Sequence, residues 1–306
     1  MIVVAGEALI DLIVHEDGRL EAVLGGGPFN TARTIARLGG TTAFLGRLST
    51  DRFGAMLRAA LVADGVDLRF ARTTDAPTTL AVAELDEHGV ATYHFHLAET
   101  SAPGLTTDEA DAALATTPVA LHVGTLGLVA EPIATTLADA VQAVGAATLV
   151  MVDPNCRPRV IPDRATYLDR LRRVVARADV VKVSADDLAY LAPDQPARDA
   201  AAALLGQGPR VVLLTDGARS VRVTGRSFSF DVPVPSIHVV DTVGSGDAFG
   251  GAFLGRWIEL GLGREALADA GLVRQAVDVA IEVASLTCQR PGADPPRRAE
   301  VSRLAR

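Results

Sequence analysis

Short apolar runs alternate with longer Ala-rich segments of helical periodicity along most of this 306-residue chain. Parallel strands are buried on both faces and therefore appear as continuous apolar runs, whereas the helices between them bury only one stripe. The alternation is typical of an α/β layer protein with a mainly parallel sheet. The predicted strands cover residues 2–5, 42–45, 120–123, 149–152, 180–183, 211–214 and 221–223.

Residues 78–97 break this rhythm. Their sequence, TTLAVAELDEHGVATYHFHL, predicts two strands joined by a turn at 86–89, which is a β-hairpin rather than a strand–helix–strand unit. Together with residues 12–23, we expect the hairpin to form a small sheet that covers a ligand site. His94 and His96 share one face of the second strand, but a metal site would need a third ligand, so we expect them to face solvent or the ligand.

The segment DTVGSGDAFGGAFLG, residues 241–255, lies between a predicted short strand at 236–240 and a predicted helix. In its glycine turn, the backbone amides of residues 244–246 can point toward one bound anion, and the helix dipole adds to the attraction. The carboxylate of Asp247 would repel a phosphate there unless it accepts the proton of a hydroxyl that attacks that phosphate. The pattern therefore predicts phosphoryl transfer.

Three other interpretations of this segment compete with phosphoryl transfer. Asp247 could be only a helix cap, which is a common role for aspartate. The turn also mimics a dinucleotide-binding loop, but that loop needs a strand after its helix, and residues 264–287 continue as helix. A P-loop is excluded because the chain has no GxxxxGK[ST] motif and Lys182 is its only lysine.

A second glycine-rich segment, LGGGPFNTARTIARLGG at residues 24–40, leads into a predicted helix. Its glycines allow the backbone to approach a ligand closely, and the Asn30 amide can donate and accept hydrogen bonds at the helix start. Such groups suit a sugar, although a flexible loop with Asn30 as helix cap explains the segment equally well. Asp11 favours the ligand site, because a lone acid in an apolar strand faces either solvent or a ligand and can accept two sugar hydroxyls.

Composition and charge exclude several classes of protein. The chain has 29 Lys and Arg residues against 37 Asp and Glu residues, a net charge of −8, and no basic run that could follow a nucleic-acid backbone. No apolar run reaches the length of a membrane span, and Glu7 and Asp11 come too early for a signal peptide. We therefore expect a cytoplasmic protein with no nucleic-acid or membrane partner, whose Arg-rich tail after Pro295 frays.

The two glycine-rich segments together resemble the two signatures of the ribokinase-like (PfkB) carbohydrate kinases, and the likeness covers nearly the whole chain. The stretches GEALIDLI, GTLGLVAEP, DPNCRP, KVSADDL and CQRPGADPP resemble the fructokinase-type branch in particular. The resemblance implies one ribokinase-like kinase domain over residues 1–306, with a three-layer αβα fold, a mainly parallel central sheet and a small β-sheet lid. It also implies ATP-dependent transfer of the γ-phosphoryl group to a primary hydroxyl of a small carbohydrate, with fructose as the first expectation.

The resemblance further implies roles for individual residues. Asp247 would be the catalytic base, and the anion hole would be formed by Gly244, Ser245 and Gly246. The expected sugar contacts are Asp11, Gly26, Gly27, Asn30 and Arg157, and the expected ATP contacts are Asn155, Lys182, Thr215 and Gly217. Asp187 would organise Mg²⁺ through water, the lid would form the contact of a homodimer, and a monovalent cation such as K⁺ would lie at Asp241, Val243 and Gly292.

Three positions depart from the family pattern. Asp187 replaces the usual glutamate, Ser220 ends the predicted nucleotide turn where glycine is more typical, and Leu97 stands where fructokinase-like members often carry arginine. Arg157 keeps 2-keto-3-deoxygluconate as an alternative substrate, beside ribose and nucleosides. A non-catalytic sensor of sugars or nucleotides is a further alternative, which Asp247 argues against because a base that repels phosphate has no use in binding alone.

Overall fold

The computed structural model describes residues 1–85 and 91–304, and the turn predicted at 86–89 lies outside them. All seven strands predicted from the apolar runs are present. The strands are β1 (Ile2–Ala5), β2 (Leu9–Val14), β3 (Leu20–Gly25), β4 (Thr42–Ser49), β5 (Ala71–Thr74), β6 (Leu80–Leu85), β7 (Ala91–His96), β8 (Ala120–Gly124), β9 (Leu149–Asp153), β10 (Val180–Ser184), β11 (Val211–Thr215), β12 (Ser220–Gly225) and β13 (Ser229–Pro233).

Nine α-helices lie within the described ranges, and most of them connect successive strands. They are α1 (Gly27–Arg37), α2 (Arg52–Asp64), α3 (Thr107–Leu114), α4 (Ile133–Ala143), α5 (Arg164–Arg177), α6 (Ala185–Leu191), α7 (Ala197–Leu205), α8 (Ser245–Glu259) and α9 (Ala270–Cys288). None of these described helices is both long and apolar enough to cross a bilayer.

Nine strands form the central sheet, in the order β13-β12-β11-β10-β9-β8-β1-β4-β5. β1 lies in the interior and pairs in parallel with β4 and β8, whereas β12 and β13 add an antiparallel edge. The strands are apolar because helices cover both faces. Val180 packs on the side of α8 and α9, and its neighbour Val181 packs on the side of α4 and α5. The predicted three-layer αβα fold with a mainly parallel sheet is confirmed.

Helices α1 and α8 pack closely on one face of the sheet, and their contact decides where the two glycine-rich segments meet. A Cβ atom at Gly251 would lie 2.9 Å from the Thr31 carbonyl oxygen, so glycine is needed for this approach. Trp257 is fully buried in the same layer and stacks on Phe253 with ring centroids 5.9 Å apart. The packing brings together side chains that are 217 residues apart in the sequence.

A separate sheet of four strands has the order β3-β2-β6-β7. β2 pairs antiparallel with β3 and parallel with β6, and β6 pairs antiparallel with β7, which confirms the expected small sheet. Side chains alternate along β7, so Tyr93 and Phe95 line a cleft while His94 and His96 are exposed. Of the two orientations expected for these histidines, the structure shows the one toward solvent.

Two expectations near the end of the chain are wrong. Residues 236–240 have no regular secondary structure and pair with no strand among the described residues, and the Val240 amide donates to the Cys288 carbonyl instead. A β-branched run favours an extended backbone, whereas strand pairing also requires a neighbouring strand. The tail after Pro295 packs against the body through two short 3-10 turns, with Val301 and Leu304 buried.

Candidate active site

One cleft opens at the carboxyl ends of β11, β10, β9, β8 and β1, where ligands collect in α/β sheets. Its volume is about 1210 Å³, which exceeds the roughly 300–1,000 Å³ usual for one small ligand and leaves room for two substrates. All residues predicted to contact sugar, nucleotide or cation line this cleft. They are Asp11, Gly26, Gly27, Asn30, Asn155, Arg157, Lys182, Asp187, Thr215, Gly217, Asp241, Val243, Gly244, Ser245, Gly246, Asp247 and Gly292.

The order of the strands separates two ends of the cleft. The start of α1, with Gly27 and Asn30, lies beside β1, whereas Thr215 ends β11, four strand positions away. At about 4.8 Å per strand, the two ends are roughly 19 Å apart. The predicted sugar contacts and the predicted nucleotide turn therefore occupy different ends.

Asp247 lies in the first turn of α8, whose N-cap is Gly244 in a left-handed conformation with φ of 72°. The carboxylate does not act as a helix cap, because its Oδ2 accepts a hydrogen bond of 2.9 Å from the Asn30 amide on α1. Burial raises the pKa of Asp247, while Asn30, Lys182 and Arg157 act in the opposite direction. A carboxylate with a raised pKa next to an anion-binding turn is suited to accept a proton.

Gly244, Ser245 and Gly246 form the N-terminal turn that precedes Asp247, at the start of a helix of 15 residues. A Cβ atom at Gly244 would lie 2.4 Å from the Ala293 Cβ atom, so the packing here requires glycine. A Cβ atom at Gly246 would lie 2.9 Å from Lys182 Nζ, which shows how close the lysine ammonium is to the turn. The helix dipole, the first-turn amides and the lysine together make an anion site.

Lys182, which lines the cleft, forms a buried ion pair of 2.9 Å with Asp153. Burial raises the pKa of Asp153 to about 6, against the opposing effect of Lys182. Burial disfavours the lysine ammonium, but Asp153, Asp187 and Asp247 outweigh it and raise the pKa of Lys182. Lys182 is therefore charged at neutral pH. Oδ1 of Asp153 is buried and has no hydrogen-bond partner among the described residues.

Asp11, Gly27 and Asn30 surround a small space next to Asp247. Burial raises the pKa of Asp11 to about 6, and the charge of Asp247 adds to this effect. A Cβ atom at Gly27 would lie 2.5 Å from Thr125 Oγ1 and 3.2 Å from Asp247 Oδ1, so glycine keeps this space open. Asn30 is buried, and its Oδ1 has no partner in the described structure. Carboxylate and amide groups in such a space suit a polyhydroxyl ligand.

Glu7 and Thr125 also line the cleft, and sequence analysis assigns neither to the site. Burial raises the pKa of Glu7 to about 7, against backbone amides that lower it. The sequence does carry a signal for Glu7, since it is an acid within an apolar run, as Asp11 is. Thr125 gives no such signal, because it follows β8 with a left-handed φ of 50° and only the fold brings it next to Gly27.

Two aromatic side chains and further arginines also line the cleft. Tyr93 and Phe95 stack with ring centroids 6.2 Å apart, and Arg159 lines the cleft as Arg157 does. Because side chains alternate along a strand, both rings lie on the face of the predicted hairpin strand that His94 does not share. This wall of the site could therefore have been predicted from the sequence. The rings give the cleft an apolar wall of the kind common in small-molecule sites.

The carboxylate of Asp187 is engaged by the protein. Oδ2 accepts from the Ser184 amide and hydroxyl, both at 2.7 Å, and Oδ1 accepts from the Cys156 amide at 2.6 Å. Three donors leave one lone pair free, so Asp187 suits contact with a metal through water rather than directly. In the described ranges, no group of three or more His, Cys, Asp or Glu side chains is arranged to hold a metal ion.

Asp241, Val243 and Gly292, the residues predicted to hold a monovalent cation, lie together. Oδ1 of Asp241 accepts from the Val243 amide at 3.0 Å, and Oδ2 accepts from the Gly292 amide at 2.8 Å. These bonds join the loop after α9 to the turn before α8. A carboxylate offers the hard oxygen ligands that such a cation prefers, although both of its oxygens already accept from backbone amides.

The predicted nucleotide contacts fall into two groups. Thr215 ends β11, and Gly217 follows in a left-handed turn with φ of 53°, so both lie at the far end of the cleft. Asn155 lies nearer the start of α1, since its amide donates to Thr125 Oγ1 at 3.3 Å. The position of Asn155 is therefore closer to the expected sugar contacts than to Thr215.

A family profile and individual proteins show what this chain resembles. The profile of the pfkB family of carbohydrate kinases matches residues 1–299. Over 258 residues the chain is 33% identical to a fructokinase of Rhizobium leguminosarum bv. trifolii, with 83% of this chain and 78% of that protein covered.

Solved structures share the architecture. The crystal structure of fructokinase with bound ATP from Xylella fastidiosa has a TM-score of 0.91 at 28% identity, with 99% of this chain and 97% of that chain covered. Fructokinase from Vibrio cholerae O395, solved with fructose, ADP and a calcium ion bound, has a TM-score of 0.82 at 27% identity, with 99% and 95% covered. These similarities confirm the expected ribokinase-like fold.

Proposed function

Because the chain belongs to the pfkB family of carbohydrate kinases, we propose that it transfers the γ-phosphoryl group of ATP to a primary hydroxyl of a small sugar. The position of Asp247 carries this proposal, since a buried carboxylate with a raised pKa adjoins the anion-binding turn of α8. A protein that only binds phosphate gains nothing from a carboxylate there. The ATP bound to the similar Xylella fructokinase supports ATP as the donor.

In the proposed reaction, Asp247 accepts the proton of the sugar hydroxyl as that hydroxyl attacks the γ-phosphorus. Asn30 occupies Oδ2 of Asp247, so Oδ1, which faces Gly27, is the oxygen that accepts the proton. The first-turn amides of α8 and the Lys182 ammonium stabilise the negative charge on the transferred group. The bond between the γ-phosphorus and the bridging oxygen breaks, and ADP leaves with its electron pair. Asp247 stays protonated until it releases the proton to solvent.

The residues present fit the metal ions that this reaction implies. Asp187 lines the cleft and keeps one free lone pair, so it can hold a water molecule of a Mg²⁺ ion. Mg²⁺ neutralises charge on the phosphate oxygens when it is bound with ATP. Asp241, which Val243 and Gly292 contact, offers a carboxylate that suits K⁺. The calcium ion of the similar Vibrio fructokinase supports a metal ion in an enzyme of this kind.

Fructose is the proposed sugar. The similar Rhizobium protein is a fructokinase, and the similar Vibrio structure contains fructose. Asp11 and Asn30 offer the acceptors and donors that hydroxyl groups need. Leu97 packs with Leu9 and Leu126 in a small apolar cluster, so this position contributes no charge to substrate binding. Arg157 favours 2-keto-3-deoxygluconate as a second candidate, because an arginine in the cleft can pair with a sugar carboxylate.

An assay of ADP release with Mg-ATP and a panel of fructose, 2-keto-3-deoxygluconate, ribose and a nucleoside tests the proposal. We expect the highest kcat/KM for fructose, because each polar group left unpaired by a wrong sugar costs roughly 1–3 kcal/mol. A higher value for the acid would replace fructose but keep the kinase, and no ADP release with any sugar would overturn the kinase. Equal rates in K⁺, Na⁺ and a bulky organic cation would contradict the monovalent-cation site.

Two further expectations stay proposals. One is a homodimer through the small sheet, which sedimentation at several concentrations tests. A cytoplasmic location rests on the need for ATP, and cell fractionation tests it.

A further inference from the structure

Glu7 is buried directly behind the groups that surround Asp247. It follows β1 and is 1% exposed. Its two carboxylate oxygens accept hydrogen bonds from two different segments of the chain. Oε1 accepts from the Gly27 amide at 3.3 Å, and Oε2 accepts from the Gly127 amide at 3.1 Å. Glu7 therefore joins the start of α1 to the 3-10 turn of residues 125–128.

Both of these segments shape the space in which a sugar hydroxyl would meet Asp247. Gly27 lies between Thr125 Oγ1 and Asp247 Oδ1. Thr125 has a left-handed φ of 50°, a strained conformation for a β-branched residue that persists only where its surroundings enforce it. The hydrogen bond from the Gly127 amide to Glu7 is one such restraint, because Gly127 lies in the same turn, two residues after Thr125.

We propose that Glu7 is a positioning residue, whose carboxylate holds Gly27 and the 125–128 turn together and thereby aligns the acceptor hydroxyl of the sugar with Asp247. The inference rests on the proposed sugar-kinase function for its effect on turnover. The clamp itself is a property of the fold. It needs the ionised carboxylate, since a protonated carboxyl would direct its own O–H toward one of the two amides.

The ionisation of Glu7 adds a pH dependence. Burial raises its pKa to about 7, backbone amides oppose this effect, and the charge of Asp247 adds to it. Asp247 on α8 is the titratable group that acts on Glu7, while the contacts from α1 and from the 125–128 turn are backbone amides. As pH falls through about 7, the clamp loses an acceptor, so sugar turnover should fall over the same range.

Glu7→Gln tests the proposal, because it keeps the shape but turns an NH₂ group toward one of the two amides. We expect KM for the sugar to rise about 10-fold and kcat to fall about 10-fold, with KM for Mg-ATP changed less than about twofold. The acid limb of kcat/KM should also move to lower pH. The glutamine does not titrate, so the loss of activity that follows protonation of Glu7 disappears from the pH profile.

Asp179 offers a matched control at the opposite, amino-terminal ends of the strands. It is also 1% exposed, and its Oδ2 accepts from the Val150 amide at 2.9 Å. Asp179→Asn should lower Tm but leave KM for the sugar and the pH limb unchanged. If Glu7→Gln behaves in the same way, Glu7 is only a structural carboxylate and the proposal is wrong.

Amide hydrogen exchange separates this inference from the proposed function. In Glu7→Gln, the Gly27 and Gly127 amides should exchange faster than in the unmodified protein, while Asp179→Asn should not change them selectively. Unchanged exchange at both amides would overturn the clamp even if a sugar is phosphorylated. Should Glu7→Gln fail to fold, Glu7→Asp takes its place, since the shorter side chain cannot reach both amides and should raise KM for the sugar by a similar factor.

Discussion

At the scale of single residues, the cleft is unusual for its buried acids. Burial raises the pKa of Glu7 to about 7 and those of Asp11 and Asp153 to about 6, and it raises the pKa of Asp247 as well. Such carboxylates oppose folding, so a protein retains them where their chemistry is needed. Of these four acids, Asp247 lies next to the glycine turn at the start of α8. This position is the reason why we propose Asp247, rather than Glu7, Asp11 or Asp153, as the proton acceptor.

Asp247→Asn should abolish most turnover while folding and ATP affinity stay largely intact. The amide keeps the size of the side chain and a bond to Asn30 but cannot accept the proton, so we expect kcat to fall by a factor on the order of 10² or more. Steady-state kinetics and calorimetric titration of ATP check both parts.

Asp186→Asn is the matched control for this substitution. Asp186 lies in the first turn of α6 and also lines the cleft, but its side chain is exposed. We expect its variant to keep turnover close to that of the unmodified protein. Near-normal turnover in Asp247→Asn would show that another group accepts the proton.

At the scale of elements, the end of the chain is tied to α1 by a buried ion-pair cluster. Arg33 and Arg37 on α1 bond Asp64, at the end of α2, over 2.7 Å and 2.8 Å. The same two arginines donate to the carbonyls of Ala293 and Pro295. Because Ala293 packs against Gly244, this cluster supports the anion-binding turn from behind.

Asp64→Asn should therefore destabilise the protein by about 3–5 kcal/mol, since it leaves the buried guanidinium of Arg33 without its carboxylate and Arg37 with Asp294 alone. Urea denaturation measures this change. The exposed pair of Asp169 and Arg172 on α5 provides the control, and Asp169→Asn should change the free energy of unfolding by less than about 1 kcal/mol. Equal effects of the two substitutions would mean that the cluster does not hold the tail to α1.

At the scale of the whole molecule, the acids with raised pKa values shape the pH dependence of stability. The folded state binds protons more tightly at these sites than the unfolded state does. Their contribution to stability is therefore fully present below about pH 4 and is lost as pH rises through the folded pKa values of about 6 to 7. Above that range, the folded protein bears the cost of several buried charges in the cleft.

Asp11→Asn should stabilise the protein by about 1–3 kcal/mol at pH 8 and have almost no effect near pH 4, because it removes a charge whose pKa burial raises to about 6. Urea denaturation at the two pH values checks this. Asp17→Asn, at an exposed position in the turn between β2 and β3, should show no such difference. A stabilisation that is the same at both pH values would contradict the role of the Asp11 charge.

The sequence by itself determined the layers of the fold, the small sheet and the two glycine-rich turns. These features depend on local physics. The spacing of apolar residues decides which face of a strand or helix is buried, and glycine turns permit backbone conformations that other residues resist. The proposal that Asp247 accepts a proton also came from the sequence, because a carboxylate beside an anion turn has few other uses.

Only the tertiary structure decided which groups act together. Asn30 and Asp247 are 217 residues apart, and Glu7 reaches Gly127 across 120 residues. Residues 236–240 have the composition of a strand but pair with none among the described residues. The physical reason is the same in each case. Hydrogen-bond partners, burial and the resulting pKa shifts depend on packing between distant segments, which the local pattern of a sequence does not contain.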